Sequence, residues 1–334
     1  MLKLLAALAG PICAKELIEL SRRALEPSLA PPLHRLAAGI VLLPALIPLA
    51  GNRLTASRAG ETLPRDFAID ILQSVEPYAV LITAGDNDTF PLWYAQEVEG
   101  VRRDVTVANL SLMNTLWHNR QIKRRDTIPF DAARAIELYR DRSWPRPTKQ
   151  VLSLTYEQIN ALPGLYPLRQ PRLFTAGSLK AVITPRVLDR AGIVTLQLIA
   201  DNLGERPVYF SRTVGGYADQ LGLTPYLLGH GFARKVLPDT IQPSDDIVRV
   251  PGLGLVDLER TTALMFDVYH VDSAARDRPR GWIDVPSQGI LQMYGLLYAQ
   301  IANYLRTAAS PAEENVRLAE RAEELAAKIL AQTK

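Results

Sequence analysis

Two carboxylates stand two residues apart in the segment Asp86-Asn-Asp-Thr89, which directly follows the apolar run 79–83. Carboxylate and amide oxygens suit Mg²⁺ and Ca²⁺, so Asp86 and Asp88 are candidate ligands of a divalent cation. Asn87 and Thr89 add further polar groups that a ligand can contact. A structural role competes with this one, because Asp and Asn side chains often cap a following helix or satisfy backbone N–H groups in a turn. The pattern is short, and we favour the structural role.

Known catalytic patterns narrow the chemistry that this segment can perform. An Asp-X-Asp sequence after a strand occurs in nucleotide-sugar glycosyltransferases. The segment also loosely resembles the nucleophile loop of phosphatases, but Phe90 stands where that loop has Thr or Val. The sequence has no serine nucleophile elbow, P-loop or dinucleotide fingerprint. Its single cysteine, Cys13, excludes an intramolecular disulfide and a thiolate metal cluster.

Other polar residues near the ends of predicted elements are further ligand-binding candidates. Arg212 can bind an anionic group or pair with Asp86 or Asp88, and we favour the ion pair. Asn202 also has a simpler interpretation as the C-cap of a helix. The ligand-binding candidates of this second group are Asn109, Asp201, Asn202 and Arg212.

Three aromatic residues lie close to these candidates in the sequence. Trp93, Tyr94 and Trp117 have rings that can stack on a sugar. Their spacing is more typical of buried core positions, so we expect them to lie in the core.

A strand–helix–strand unit positions the acidic segment. The pattern predicts a strand at 79–83, a tight polar loop at 85–91, a helix at 91–98 that begins with Pro91, and a strand at 104–109. A unit of this length is right-handed, so its two strands are expected to be parallel neighbours. The segment 206–211 is expected to be a third strand of the same sheet. Ligands of open α/β sheets bind at the carboxyl ends of the strands, where the acidic segment falls.

Periodicity and turn residues predict the rest of the α/β domain, which spans residues 64–270. Helices are expected at 64–75, 113–123, 131–142, 155–162 and 257–270, and irregular chain at 163–178 and 239–254. The segment 186–203 is predicted to be a helix, with a strand at 193–199 as the alternative, and 227–237 to be a strand or an irregular turn. The predicted fold class is α/β, with a small, mostly parallel sheet flanked by helices.

The N-terminal part, residues 1–54, contains the strongest apolar run of the chain, at 36–50. Extended to 33–54, it reaches the roughly 20 residues that span a bilayer. Pro44 and Pro48 are tolerated more readily in membrane helices than in soluble ones, so we favour a membrane helix over a buried core segment. The distribution of basic residues predicts a single-pass protein whose bulk lies outside the cytoplasm. A cleaved signal peptide is disfavoured because the cleavage region is unconvincing.

The C-terminal residues 286–334 are predicted to form an αα-hairpin that resembles one tetratricopeptide unit. The first helix covers 287–306, and the capping box Ser310-Pro-Ala-Glu313 starts the second. The composition, with 48% hydrophobic residues, is that of a folded protein. A net charge of +3 is too small to indicate a nucleic-acid surface, and no nucleic-acid partner is expected.

Three stretches carry a resemblance to a known family. LITAGDNDTFPLWYAQEVEGVRRDVTVANLSLMNT, IADNLGERPVYFSRTV and the C-terminal hairpin resemble the C-terminal extracytoplasmic region of the DUF 2723 membrane proteins. These bacterial multi-pass proteins are similar to the transmembrane protein O-mannosyltransferases of the GT-C superfamily. The resemblance covers roughly residues 35–334 and implies that 36–50 is the last membrane helix of the family. The many membrane helices and the catalytic acidic loop of the family have no counterpart in this chain, so no catalytic residue is carried over.

Three functional hypotheses follow. In the first, the chain is a membrane-anchored accessory or acceptor-binding domain of a GT-C-type glycosyltransferase that uses a lipid-linked sugar. The chain would then be inactive alone, with the membrane and a multi-pass glycosyltransferase subunit as partners. In the second, it is a free-standing glycosyltransferase or phosphatase whose Asp86 and Asp88 bind a divalent cation. In the third, it is an interaction module that binds a partner protein through the helical hairpin.

Overall fold

A computed structural model describes residues 47–278, 283–307 and 313–333 of the chain. The chain separates into two compact units, residues 1–60 and 61–334, and the described part of the first contains the short helix Arg53–Ala56. Most of the predicted membrane helix 33–54 and of the predicted capping box at 310–313 lies outside the described residues. Within the described ranges, no helix is long and apolar enough to cross a membrane.

The second unit is built on a seven-stranded mixed sheet with the strand order β10-β11-β8-β9-β7-β1-β2. Neighbours are parallel in the pairs β1–β2, β1–β7 and β8–β11 and antiparallel in the other three. The prediction of a small, mostly parallel sheet was therefore correct only for the region around β1. The strands of this sheet are β1 (Val80–Thr83), β2 (Thr106–Asn109), β7 (Val208–Ser211), β8 (Leu227–His230), β9 (Ala233–Val236), β10 (Ile247–Val250) and β11 (Gly254–Asp257).

Two further antiparallel pairs lie outside the main sheet. They are β3 (Leu165–Pro167) with β6 (Val187–Asp189), and β4 (Arg172–Ala176) with β5 (Leu179–Ile183). The prediction of irregular chain at 163–178 was wrong, because β3, which includes Pro167, and β4 both form there, with Pro171 between them and Gly177 after β4. The helix predicted at 186–203 begins only after β6.

Helices flank the sheet on both sides. They are α1 (Leu63–Ser74), α2 (Asp86–Glu97), α3 (Leu110–Met113), α4 (Leu116–Arg124), α5 (Glu137–Arg140), α6 (Tyr156–Ala161), α7 (Arg190–Asn202), α8 (Tyr217–Gln220), α9 (Leu258–Ala263), α10 (Val271–Ala275), α11 (Val285–Thr307) and α12 (Glu313–Leu330). Shorter turns of 3₁₀ helix occur at Ala132–Arg134, Arg212–Val214, Thr224–Tyr226 and Ala331–Thr333, and a π-helical turn covers Leu264–Val268. Helix α6 begins as predicted, with the side chain of Thr155 accepting from the backbone N–H of Gln158.

The predicted strand–helix–strand unit is present as β1–α2–β2, with Val80 aligned with Thr106 and Thr83 with Asn109. Helix α2 begins at Asp86, so the acidic segment is its first turn and Pro91 lies inside the helix. The prediction of a loop here was wrong. The acidic first turn suits the positive end of the helix dipole, and the missing N–H of Pro91 costs one intrahelical bond.

Strand β1 is buried on both faces, which explains its continuous apolar sequence. Leu81 packs on one side with residues of α1, α11 and α12, whereas Val80 and Ile82 pack on the other side with residues of α7. The C-terminal helical pair α11–α12 is thus part of the core of the second unit, and the predicted hairpin is confirmed as a helical pair.

In the C-terminal half the turns differ from those predicted. Residues 227–237 form the hairpin β8–β9 around Gly231, whose φ of +55° lies in the left-handed region that favours glycine. The predicted loop 239–254 contains β10, which pairs with β11. The helix predicted at 257–270 ends in the π-helical turn, and Tyr269 returns to extended backbone.

Candidate functional site

Asp88 is buried at the carboxyl end of β1 and uses both carboxylate oxygens within the protein. Its Oδ1 accepts from the backbone N–H of Gly85 (3.2 Å) and from the hydroxyl of Thr89 (3.0 Å). Its Oδ2 accepts from the hydroxyl of Thr213 and from the backbone N–H of Ala84 (3.4 Å). Asp88 therefore caps the first turn of α2 and ties that helix to the chain after β7, as the structural interpretation predicts.

Thr89 and Asn109 extend this network to the neighbouring strand. The Thr89 hydroxyl accepts from Asn109 Nδ2 at 2.8 Å and lies 2.8 Å from the hydroxyl of Thr83. Asn109 Oδ1 accepts from the backbone N–H of Leu112 at 2.8 Å, so Asn109 is the N-cap of α3. The two residues come together as expected from their positions at strand ends, and their side chains join β1, β2, α2 and α3.

Asp86 and Asn87 are exposed, in contrast to Asp88 and Thr89. Asp86 and Asp88 occupy the first and third positions of α2, and residues two apart do not face each other on a helix. The described residues contain no group of three or more His, Cys, Asp or Glu side chains that could hold a metal ion. The geometry therefore gives no support to a shared cation between the two carboxylates.

Asp201 and Asn202 lie at the end of α7 and before β7, near the amino end of that strand rather than at the carboxyl end, where Asp88 lies. Asp201 Oδ2 accepts from the backbone N–H of Ser153 at 2.7 Å, and Asn202 Nδ2 donates to the backbone oxygen of Val151 at 2.8 Å. These contacts hold the segment 151–153 against α7. The structure does not bring these two candidates together with Asp88.

Arg212 follows β7 but forms no ion pair with Asp86 or Asp88, so this prediction was wrong. Its Nε donates to the backbone oxygen of Gly231 (2.6 Å) and its Nη1 to that of Leu253 (3.2 Å). The neighbouring Thr213, rather than Arg212, contacts Asp88. The Arg212 side chain instead lines a cavity of about 470 Å³ between the sheet and α11.

An aromatic cavity of about 570 Å³ lies beside the edge strand β2. Trp93 and Trp117 line it together with His118, and their ring centroids lie 6.2 and 5.5 Å from that of the imidazole. Trp117 is 47% exposed and Tyr94 48%, so the expectation that they lie in the core was wrong for these two rings, whereas Trp93 is partly buried against the core. The lining residues are Trp93, Glu97, Thr106, Val107, Trp117, His118, Gln121, Ile122, Arg124 and Arg125.

The aromatic cavity combines flat apolar surfaces with charged and amide groups. Burial lowers the pKa of His118 to about 4, so its imidazole is neutral at neutral pH. Its Nε2 accepts weakly from the backbone N–H of Asn109, which connects the cavity to the network around Asp88. Glu97, Gln121 and Arg124 offer hydrogen-bonding groups around the rings. Aromatic walls with a few polar groups are typical of small-ligand sites.

A second titratable cluster was not found from the sequence. Asp70 on α1 is fully buried and lies 2.7 Å from Nδ1 of His270, while the hydroxyl of Tyr294 on α11 donates to its Oδ2 at 2.5 Å. Burial raises the pKa of Asp70 to about 6, and the hydrogen bond with Asp70 raises that of His270. Asp70 and His270 are separated by 200 residues, and no spacing rule links them. The one sequence feature that indicates this cluster is the position of Asp70, a charged residue on the apolar face of the predicted helix 64–75.

The described geometry is that of a mixed α/β domain with ligand-sized cavities at its sheet. Residues 64–143, about a quarter of the chain, match the family model described as TMEM260-associated domain 2. The matched region runs from α1 to just beyond α5 and contains Asp88, Trp93 and Trp117. No curated protein and no solved structure matches the chain at a significant level.

Proposed function

We propose that this chain is the acceptor-binding domain of a GT-C-type, protein O-mannosyltransferase-like glycosyltransferase, and that the aromatic cavity holds a sugar of the acceptor. The observation that carries the proposal is the exposure of Trp117 at a cavity that Trp93 also lines and that offers the polar groups of Glu97 and Gln121. The rings provide faces for the C–H surfaces of a pyranose, and the polar groups provide partners for its hydroxyls. The family match covers this cavity, and the motif resemblance supports the glycosyltransferase context.

The contacts of Asp88 favour binding over metal-dependent catalysis at the acidic segment. Both oxygens of its carboxylate accept hydrogen bonds from protein groups, and Asp86 lies on a different side of the helix. A catalytic role would require this cap to open and α2 to lose the contact that joins it to Thr213. The proposal therefore leaves catalysis to a separate multi-pass subunit.

The proposed setting is a single-pass membrane protein with its second unit outside the cytoplasm. This part of the proposal is based on the apolar run 36–50 and on the motif resemblance. Washing membranes with alkaline carbonate tests it, because a chain anchored by residues 33–54 stays in the membrane pellet. Complete release would remove the anchor from the proposal.

Tryptophan fluorescence of the full chain tests the sugar site. Methyl α-D-mannopyranoside is expected to change the emission with a dissociation constant of the order of 1 mM, equivalent to about −4 kcal/mol. Trp117→Ala removes one aromatic wall and is expected to abolish the change. Tyr156→Ala is the matched control, because Tyr156 is 46% exposed but does not line the cavity. An identical response in wild type and Trp117→Ala, or no response to mannoside, would refute the sugar site.

A further inference from the structure

Arg212 is a partly buried cation for which the described residues provide no carboxylate partner. Its two hydrogen bonds go to backbone carbonyl oxygens, and its Nη2 is buried without a hydrogen-bond partner among the described residues. Burial and the nearby Arg234 lower the pKa of Arg212 to about 10, and the group that acts in the opposite direction is the Tyr269 hydroxyl rather than a carboxylate. A buried charge without a partner is costly, so this arrangement calls for a counter-charge from outside the chain.

The cavity beside Arg212 can admit a negatively charged ligand that would provide this counter-charge. Arg234 also lines it, and its ion pair with Asp219 (2.9 Å) leaves the three side chains with a net charge of about +1 at neutral pH. Four glycines of the lining, at 215, 216, 252 and 254, bring backbone rather than side chains to the wall. The cavity is therefore both positively charged and open around the arginines.

The opposite wall is apolar and comes from α11. Met293, Leu296 and Leu297 line the cavity there, followed by the amide of Gln300 one turn further along. Leu296 is 51% exposed, which places it at the rim, whereas Leu297 is buried. An inorganic ion would leave this apolar wall unused, and a ligand with an apolar portion would cover it.

We propose that the cavity between Arg212 and helix α11 binds an organic oxyanion, a phosphate or carboxylate that carries an apolar group. Arg212 and Arg234 hold the oxyanion, since guanidinium groups match the geometry of both phosphate and carboxylate. The apolar group lies against Met293 and Leu296. This site is separate from the aromatic cavity and does not depend on the proposed sugar binding.

A substitution at Gly229 on β8 would displace the Arg212 side chain while keeping its charge. A Cβ at this position would lie 2.6 Å from Nη2 of Arg212 and 3.1 Å from a methyl group of Val256. Arg212 can therefore take its observed position only while residue 229 has no side chain. Gly229→Ala is expected to displace the guanidinium and weaken anion binding while the charge remains.

Calorimetry on the full chain in detergent tests the site with hexyl phosphate, hexanoate and inorganic phosphate. Hexyl phosphate or hexanoate is expected to bind, with hexyl phosphate at least about tenfold tighter than inorganic phosphate because of its apolar group. Arg212→Gln is expected to weaken this binding by about tenfold or more, as loss of a charge-assisted contact does. The preferred probe then identifies the oxyanion as phosphate or carboxylate.

The matched control is Arg206→Gln. Arg206 is a buried arginine that, like Arg212, donates to a backbone carbonyl oxygen, here that of Lys149, but it lines a different cavity. Its loss is expected to change affinity by no more than about twofold, because distant screened charges contribute little. Equal losses in both variants would show a general charge effect and refute the site.

A second variant keeps the test decisive if Arg212→Gln does not fold. Leu296→Glu places a carboxylate at the exposed rim of the cavity, where it can satisfy Arg212 or Arg234 in place of the ligand. This variant is expected to fold, as judged by circular dichroism, and to lose anion binding. The proposal is overturned if Leu296→Glu binds as wild type does, or if no probe binds wild type at about 10 mM, the limit of useful affinity here. Unchanged binding in Trp117→Ala separates this site from the sugar site.

Discussion

Two arginines at opposite ends of the parallel strands differ in how their charge is compensated within the protein. Arg102 lies where the chain enters β1 and β2, and it donates to Asp104 and to the backbone oxygens of Leu72, Val75 and Glu76 at 2.9–3.0 Å. These five hydrogen bonds use all the N–H groups of its guanidinium. Arg212 directly follows the carboxyl end of β7, and its guanidinium has two backbone carbonyl partners and no carboxylate partner.

The difference separates an arginine that builds the fold from one that is available to a ligand. Arg102 is stacked near the rings of Phe130 and Tyr139, each 5.4 Å from its guanidinium carbon, and no cavity is needed to complete its contacts. Both arginines line a cavity, but Arg212 has a neighbouring cation, Arg234, where Arg102 has the carboxylate of Asp104. An internal counter-charge is therefore the feature that distinguishes the two regions.

Removal of Arg102 is the change with the largest expected effect. Arg102→Ala leaves Asp104 and three carbonyl oxygens buried without their partner, which typically costs about 3–5 kcal/mol. Urea denaturation followed by circular dichroism measures the free energy of unfolding. Arg103→Ala is the control, because the ion pair of Arg103 with Glu97 is exposed and 3.5 Å long, and such pairs contribute about 0–1 kcal/mol. Similar losses in both variants would contradict the structural role of Arg102.

The pair Asp70–His270 is a second internally compensated site, and its prediction concerns pH. The folded-state pKa of Asp70, about 6, lies above the ordinary 3.8, and that of His270 lies above 6.5. The folded state therefore keeps protons that the unfolded state releases, and stability falls as pH rises from about 4 to above 6.5. The stabilising contributions of the raised pKa values of Asp70 and His270 are both fully present only below the ordinary pKa of Asp70.

Denaturation at a series of pH values checks this prediction. Asp70→Asn removes the titrating carboxyl and the raised pKa of His270, so the difference in unfolding free energy between wild type and variant is expected to shrink or reverse with rising pH. Asp86→Asn is the control, because Asp86 is exposed. A constant difference between wild type and Asp70→Asn over this range would show that the pair does not titrate as the geometry indicates.

The parts of this fold that the sequence predicted are those whose signals are local. The apolar run of β1, the capping Thr155 before α6 and the apolar spacing of α11 are each readable within about a dozen residues. The acidic segment was misassigned as a loop because Pro91 suggested a helix start, and only the structure shows Asp88 capping a helix that begins five residues earlier.

The candidate site was less predictable, because its contacts join distant segments. The ion pair expected for Arg212 failed since β9 lies between β7 and β8, and the hairpin turn at Gly231 places a carbonyl oxygen next to Nε of Arg212. The exposure of Trp117 depends on where the sheet ends, and β2 is an edge strand only because the chain adds later strands on the other side. No spacing rule contains this information.

Replacement of Arg212 has the smallest expected effect on stability. It is also the most direct test of the difference between Arg212 and Arg102. Arg212→Met removes two hydrogen bonds to carbonyl oxygens, of Gly231 and Leu253, but also removes the cost of burying an uncompensated cation. These effects oppose each other, so the unfolding free energy is expected to stay within about 1 kcal/mol of wild type. The same urea titration used for Arg102→Ala measures it, in buffer without phosphate or carboxylate ions. A loss as large as that of Arg102→Ala would place Arg212 among the arginines that build the fold and remove the reason to look for a ligand beside it.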